Sequence, residues 1–101
     1  MPPRKNDKAK FAAYVMDQLE LVPRVSMRSM FGGFGIYCEG QFIALIWQTS
    51  LFMFTDTETR KKYKRADMPW FEFKQGQGES NYWMVPPTVL ADKRKLAKYA
   101  H

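Results

Sequence analysis

Residues 34–54, FGIYCEGQFIALIWQTSLFMF, contain three short apolar runs separated by turn-forming residues. The runs span 34–38, 41–47 and 51–54 and are rich in the aromatic and β-branched residues that favour strands. This pattern predicts a three-stranded antiparallel meander. Both alternating sets of the middle run are apolar, so we expect a central strand covered on both faces. One cover would be helical, and a partner subunit is a candidate for the other.

Helical periodicity flanks this meander on both sides. Phe11, Val15, Leu19 and Val22 recur at spacings of three and four, which predicts an amphipathic helix that ends at Pro23. After the meander, residues 55–58 read Thr-Asp-Thr-Glu, the threonine-to-glutamate spacing of a capping box. We therefore expect a second helix from this point to about residue 66.

The last third of the chain predicts a second hairpin and a terminal helix. Residues 70–74 and 81–85 are strand-like runs on either side of a glycine-containing loop. Beyond Pro86 and Pro87, an apolar stripe beside basic residues favours one more helix. The predicted fold class is α+β, with an antiparallel sheet of about five strands, the order α-β-β-β-α-β-β-α and helices packed on the sheet.

Length and composition indicate one folded, basic domain. The chain has 101 residues, 46% of them hydrophobic, and a formal net charge of +6. We interpret residues 1–101 as a single domain in which residues 1–7 form a flexible basic arm. No apolar run is long enough to span a membrane, and the single Cys38 has no internal disulfide partner, so a reducing, cytoplasmic location is expected.

Residue chemistry argues against the common catalytic and metal sites. The only histidine is His101, the last residue, so no fixed imidazole is available to activate Cys38 or a serine. One Cys and one His are too few for a tetrahedral zinc site. Asp56 and Glu58 are better explained by helix capping than by metal binding. We predict a non-enzymatic protein with no catalytic, metal or cofactor site.

The glycines after Met30 have a structural explanation. Gly33-Phe34-Gly35 begins like a dinucleotide-binding motif, but the third glycine is missing and a strand follows where that motif opens a helix. Gly32 and Gly33 are therefore predicted to permit a sharp, positive-φ entry into the sheet. Gly35 is predicted to let a bulky group lie across its strand.

Basic residues form three groups, one of which is a candidate anion site. The groups are Arg4, Lys5, Lys8 and Lys10; residues 60–65; and Lys93, Arg94, Lys95 and Lys98. On a helix with Thr59, Tyr63 and Ala66 on its buried side, Arg60, Lys61, Lys64 and Arg65 would share an exposed arc able to bind nucleic acid. The alternative is a solvated arc whose cations are stabilised by the helix dipole.

Residues 25–37, VSMRSMFGGFGIY, resemble the TfoX N-terminal domain family, named for a bacterial regulator of natural competence. The resemblance continues through residues 42–45, Thr55-Asp56, residues 82–86 and the final helix. It implies an α+β fold similar to type III secretion chaperones, which often form homodimers. Competence regulators of this kind carry a second helical domain and work with the cyclic-AMP receptor protein.

We therefore expect a regulatory or adaptor domain that acts by protein–protein contact and forms a homodimer. Arg28, Met30 and Phe31, beside the Gly32-Gly33 turn, are the candidate interaction surface, although large apolar side chains next to a sheet usually bury, which favours the core for Met30 and Phe31. The first alternative is direct nucleic-acid binding through the basic helix. The second is a small-molecule or enzymatic pocket between sheet and helices, lined by polar groups such as Arg28 and Tyr37.

Overall fold

The protein folds as one antiparallel sheet with all of its described helices on one face. The computed structural model describes residues 5–30 and 32–100. In chain order the elements are α1 (Lys5–Gln18), β1 (Val25–Met30), β2 (Gly33–Cys38), β3 (Gln41–Trp47), β4 (Ser50–Phe54), α2 (Thr57–Arg65), β5 (Tyr82–Met84), α3 (Pro87–Leu90) and α4 (Lys93–Tyr99). No helix within those ranges is long and apolar enough to cross a bilayer.

The five strands follow one another across the sheet in the order β1-β2-β3-β4-β5, and every neighbouring pair is antiparallel. The turns between the strands use left-handed backbone, with φ of 53° at Glu39, 82° at Gly40 and 56° at Gln48. The predicted α+β class and the five-stranded antiparallel sheet are confirmed.

One observed strand was missed from sequence, and one predicted strand is wrong. β1 was not predicted, because its alternation of Val25 and Met27 with Ser26 and Arg28 lasts only four residues before Ser29 breaks it. The run 70–74 pairs with the sheet only through a single bridge between Trp70 and Trp83. The observed order is therefore α-β-β-β-β-α-β-α-α, and the second hairpin is reduced to one bridge.

The helix boundaries also differ in detail from the sequence pattern. α1 ends at Gln18, and a turn carries the chain on to Pro23. The capping box of α2 is formed by Asp56 and Thr59: the Asp56 carboxylate accepts from Thr59 N at 2.8 Å, and the Thr59 hydroxyl accepts from Asp56 N at 2.9 Å. The terminal helix is divided into α3 and α4, since the Asp92 carboxylate caps the new helix start.

The main core lies between the helices and one face of the sheet. Its buried side chains come from α1, four strands, α2 and the C-terminal segment: Ala12, Val15, Leu19, Val22, Ile36, Ala44, Ile46, Leu51, Met53, Tyr63, Trp83, Val85, Val89, Leu90 and Leu96. One buried hydrogen bond, from Gln18 Nε2 to the Leu90 carbonyl at 2.8 Å, ties α1 to α3. Of the stripe predicted for the first helix, Val15 in α1 and Leu19 and Val22 in the turn after it are buried.

Candidate interaction face

The opposite face of the sheet carries no described helix and is lined by aromatic rings. We call it the aromatic face and define it by Tyr37, Phe42, Trp47, Phe52, Phe54, Phe71, Phe73 and Tyr82. The rings form a connected chain with centroid separations of 4.8–6.0 Å. Offset and edge-on ring pairs at these separations are mutually stabilising.

Strand register gathers these rings on one side. In an antiparallel pair, directly opposed residues point to the same face. Tyr37 opposes Phe42, Phe52 opposes Met84, and Phe54 opposes Tyr82, so strands distant in sequence contribute to a single surface. A bulge between Ile36 and Tyr37 shifts the register and brings Phe42 beside Tyr37.

The segment after α2 covers part of this face. Phe71 packs edge-on against Phe52 at 5.2 Å and against Trp47 at 6.0 Å. Leu45 and Phe52 are buried here, outside the main core on the helical side. The second cover predicted for the central strand is therefore supplied in part by the chain itself.

A concave groove of about 550 Å³ remains between this segment and the strand ends. Its walls are largely apolar, and Glu72 adds a carboxylate. The lining residues are Met30, Gly33, Phe34, Phe42, Leu45, Ile46, Trp47, Phe71, Glu72 and Phe73. Trp47 and Phe73 on the groove, and Phe54 nearby, are 39%, 58% and 50% exposed. Large aromatics clustered in contact with water are typical of a recognition surface.

The glycine turn shapes the edge of this groove. Gly32 has a φ of +78°, a conformation that favours glycine. A Cβ on Gly33 would collide with the Ile46 carbonyl oxygen of β3. A Cβ on Gly35 would lie 2.8 Å from Met30 Sδ and 3.0 Å from Phe42 Cε2, so Met30 and Phe42 are the bulky groups that cross this strand.

The candidate surface proposed from sequence lies along the β1 border of the aromatic face. Arg28 is exposed, with its guanidinium carbon 5.3 Å from the centre of the Tyr37 ring. Met30 is half-buried and lines the groove. Phe31 lies outside the described residues. Arg28 and Tyr37 face away from the helices, so they do not line the pocket between sheet and helices that was considered from sequence.

Sequence reasoning missed the exposed part of this surface. Trp47, Phe54 and Phe73 are apolar residues in or beside strand-like runs, and such a pattern predicts burial. The one sequence signal was in β3, where the residues that point to either face of the sheet are apolar. That signal identifies a second apolar face, but it does not distinguish a covered face from an open one.

On the helical side, the basic helix α2 has internal partners for several of its cations. Arg60 bonds Thr55 Oγ1 at 3.1 Å and Asn81 Oδ1 at 2.6 Å, and its side chain is only 20% exposed. Lys64 pairs with Glu79 at 3.2 Å, and Lys61 pairs with Glu58 at 3.3 Å. The exposed arc predicted from sequence therefore excludes Arg60, while Lys61, Lys64 and Arg65 are exposed.

The adjoining end of α2 packs against α4. Lys62 Nζ lies 3.7 Å from the centre of the Tyr99 ring, and burial lowers the pKa of Lys62. Tyr63 packs edge-on against Tyr99 at 5.3 Å. Both contacts hold α2 against α4, so these two side chains of the basic helix contribute to packing.

Several further aromatic side chains, and the thiol of Cys38, are used in packing. Trp83 is in the core and donates to the Ser80 carbonyl at 2.9 Å, and Trp70 packs against Trp83 at 5.2 Å. Tyr82 is part of the aromatic face, where burial raises its pKa. Cys38 is half-buried at the end of β2, with Sγ 3.4 Å from the Pro23 carbonyl. Within residues 5–30 and 32–100, no three Cys, His, Asp or Glu side chains gather at a possible metal site.

The fold and this surface define a two-layer α+β domain with an open aromatic sheet face. The family model of the TfoX N-terminal domain matches residues 17–101, and the chain belongs to this family. That membership associates it with regulatory domains related to competence, and the family is not a known enzyme family. No curated protein matches the chain.

Proposed function

We propose that this protein is a non-enzymatic regulatory or adaptor domain that holds a partner protein against its aromatic face. The observation that carries the proposal is the pair of exposed rings, Trp47 and Phe73, that line an apolar groove, together with the exposed Phe54 on the same aromatic face. Tyr, Trp and Phe are enriched at the core of protein interfaces, and Trp and Tyr are common hot-spot residues there. Family membership supports a regulatory role and, by resemblance, makes the cyclic-AMP receptor protein the first partner to test.

The test is an amide-shift NMR titration of the labelled protein with the cyclic-AMP receptor protein. We expect shifts at β3 and at residues 71–73. Phe73→Ser and Trp47→Ser should each weaken binding at least about tenfold, because truncating an aromatic anchor commonly costs an interface that much or more. Neither change should lower the melting temperature strongly, since both side chains are already in contact with water.

The matched control is Leu21→Ser. Leu21 is 51% exposed in the turn after α1, and it does not line the groove. This variant should bind like the parent. Equal losses in the control and in the Phe73 variant would contradict a specific surface, and sedimentation equilibrium on the free protein measures whether a second copy occupies the face instead.

Titration with a DNA duplex distinguishes the nucleic-acid alternative. Shifts confined to α2 and α4, with an affinity that falls steeply as salt rises, would support DNA binding on the helical side. We expect the paired state of Lys61 and Lys64 to limit that binding, because phosphate contacts would compete with Glu58 and Glu79.

A further inference from the structure

The two edges of the sheet differ in whether they are paired. At the β5 edge, Phe71 N donates to the Tyr82 carbonyl at 2.8 Å, and Met84 N donates to the Pro69 carbonyl at 2.9 Å. At the β1 edge, no described segment pairs with the strand beyond its ladder with β2. β1 is six residues long and contains no proline, so its outer backbone groups can accept another strand.

The side chains of β1 alternate between the two faces. Val25 and Met27 pack against the main core on the helical side. Ser26, Arg28 and Met30 face the aromatic side, where Arg28 opposes Gly35 and Met30 borders the groove. A strand added to this edge would therefore place one residue beside Arg28 and another beside Met30 on the same face.

Arg28 has no ion-pair partner among the described residues. Its contact is with the Tyr37 ring, and its guanidinium is exposed. Two other arginines have ion-pair partners: Arg24, next to β1, pairs with Glu39 at 3.0 Å, and Arg60 of α2 pairs with Glu79 at 3.8 Å. The edge thus presents an uncompensated positive charge that a carboxylate on an incoming strand would complement.

The same charge disfavours a second copy of this chain as the added strand. Two copies of β1 related by a two-fold axis would pair antiparallel, and directly opposed residues would point to the same face of the sheet. Arg28 must therefore lie opposite a residue of the other copy that also points to the aromatic side. In the two registers that pair most of β1, that residue is Arg28 or Ser26. The two guanidinium groups would then be direct or diagonal neighbours. Like charges at such positions oppose strand pairing.

We propose that β1 accepts an extended segment of a partner protein as a sixth strand, with a carboxylate opposite Arg28 and an apolar side chain opposite Met30. This inference rests on the proposed function and supplies the chemistry of the partner. Backbone hydrogen bonds would provide affinity, and alternate side chains would provide specificity. Read along the partner, an Asp or Glu should lie two residues from the apolar residue that reaches the groove.

The experiment selects random linear dodecapeptides by display on the folded protein and, in parallel, on Arg28→Glu. We expect parent-selected peptides to contain an Asp or Glu two residues from an apolar residue, and peptides selected on Arg28→Glu to carry Lys or Arg instead. A synthetic parent-selected peptide should shift β1 amides. Replacing its carboxylate by an amide should weaken binding about two- to fivefold, the range of a cross-strand charge pair.

Backbone N-methylation of alternate residues in that peptide provides the control for strand addition. Methylation on the edge that faces β1 should abolish binding, whereas methylation on the opposite edge should not. Arg28→Gln repeats the carboxylate test without reversing the charge. Because Arg28 is exposed, both variants should retain the amide spectrum of the parent outside β1.

The inference would be overturned if no peptide is enriched, or if peptides selected on Arg28→Glu show the same charge preference as those selected on the parent. It would equally be overturned if a bound peptide leaves the amide shifts of β1 unchanged. Binding of the cyclic-AMP receptor protein that depends on Trp47 and Phe73 but ignores Arg28 would also overturn it, while the proposed function would stand. Loss of partner binding in every assay would remove the proposed function as well.

Discussion

At the scale of single residues, two glycines in β2 experience very different surroundings. Gly33 faces the backbone of β3, and a Cβ there would meet the Ile46 carbonyl oxygen. Gly35 faces the flexible end of the Met30 side chain and the Phe42 ring. A side chain can rotate away, but a carbonyl held in a strand ladder cannot move without breaking hydrogen bonds.

We therefore expect Gly33→Ala to be the more damaging of the two substitutions. It should lower the free energy of unfolding by about 3 kcal/mol or more, and Gly35→Ala by about 1–2 kcal/mol, as repacking normally costs. Urea denaturation followed by circular dichroism measures both. A larger loss at Gly35 than at Gly33 would contradict this account of the turn.

At the scale of elements, Arg60 connects the start of α2 to the segment that leads into β5. Its guanidinium reaches Thr55 Oγ1 and Asn81 Oδ1, and the Thr55 hydroxyl donates to the Asn81 carbonyl at 2.8 Å. Thr55 N donates to the same carbonyl at 2.7 Å. These hydrogen bonds join residues that are 21 and 26 positions apart in sequence, so no local sequence pattern predicts them.

We predict that Arg60→Gln costs about 1.5–3 kcal/mol of folding free energy, the range for hydrogen bonds made by a charged group. Arg65 lies on the same helix and is exposed, so Arg65→Gln should change stability by no more than about 0.5 kcal/mol. Hydrogen exchange should show the Arg60 effect concentrated in α2 and β5. Equal effects of the two changes would mean that the Arg60 contacts contribute nothing to stability.

At the scale of the whole molecule, Tyr63 lies where α2, α4 and the core meet. The side chain is 1% exposed, and its hydroxyl has no hydrogen-bond partner among the described residues. Burial, reinforced by the neighbouring Tyr99, raises the pKa of Tyr63 above its usual 10.0. The folded protein therefore retains this proton at pH values where the unfolded chain releases it.

The contribution of Tyr63 to stability is consequently full below about pH 10 and falls as the pH rises further. We expect a loss of up to about 1.4 kcal/mol per pH unit from this group. Tyr63→Phe should flatten that dependence and leave stability at pH 7 unchanged or about 1 kcal/mol higher, because a buried hydroxyl without a partner is removed. Urea denaturation from pH 7 to 11 tests this.

Tyr14→Phe is the matched control, because Tyr14 is 41% exposed on α1. It should keep the alkaline loss of the parent protein. If the free energy of unfolding of the Tyr63 variant still falls at alkaline pH, that fall belongs to other groups. Tyr82 would be the next to examine, because burial raises its pKa as well.

Local sequence determined the elements whose signals are short-range. The meander, its turns and the family motif follow from β-branched and aromatic runs separated by glycine, and the amphipathic spacing of α1 predicts its buried stripe. β1 escaped prediction because an edge strand that exposes one face to water resembles a loop in composition. The run 70–74 resembled a strand because its aromatic residues pack on the sheet, although only Trp70 forms a bridge with β5.

Only the tertiary structure decided which surface is open. Hydropathy reports whether a residue tends to leave water, but it does not report which neighbour covers it. Helices from both ends of the chain pack on the same face of the sheet, so Trp47, Phe54 and Phe73 on the opposite face stay exposed. The strand order also puts Arg28 in β1, at an edge of the sheet that no described segment pairs with. The glycine turn was predicted from the absence of a side chain, whereas the groove beside it depends on contacts between strands that are distant in sequence.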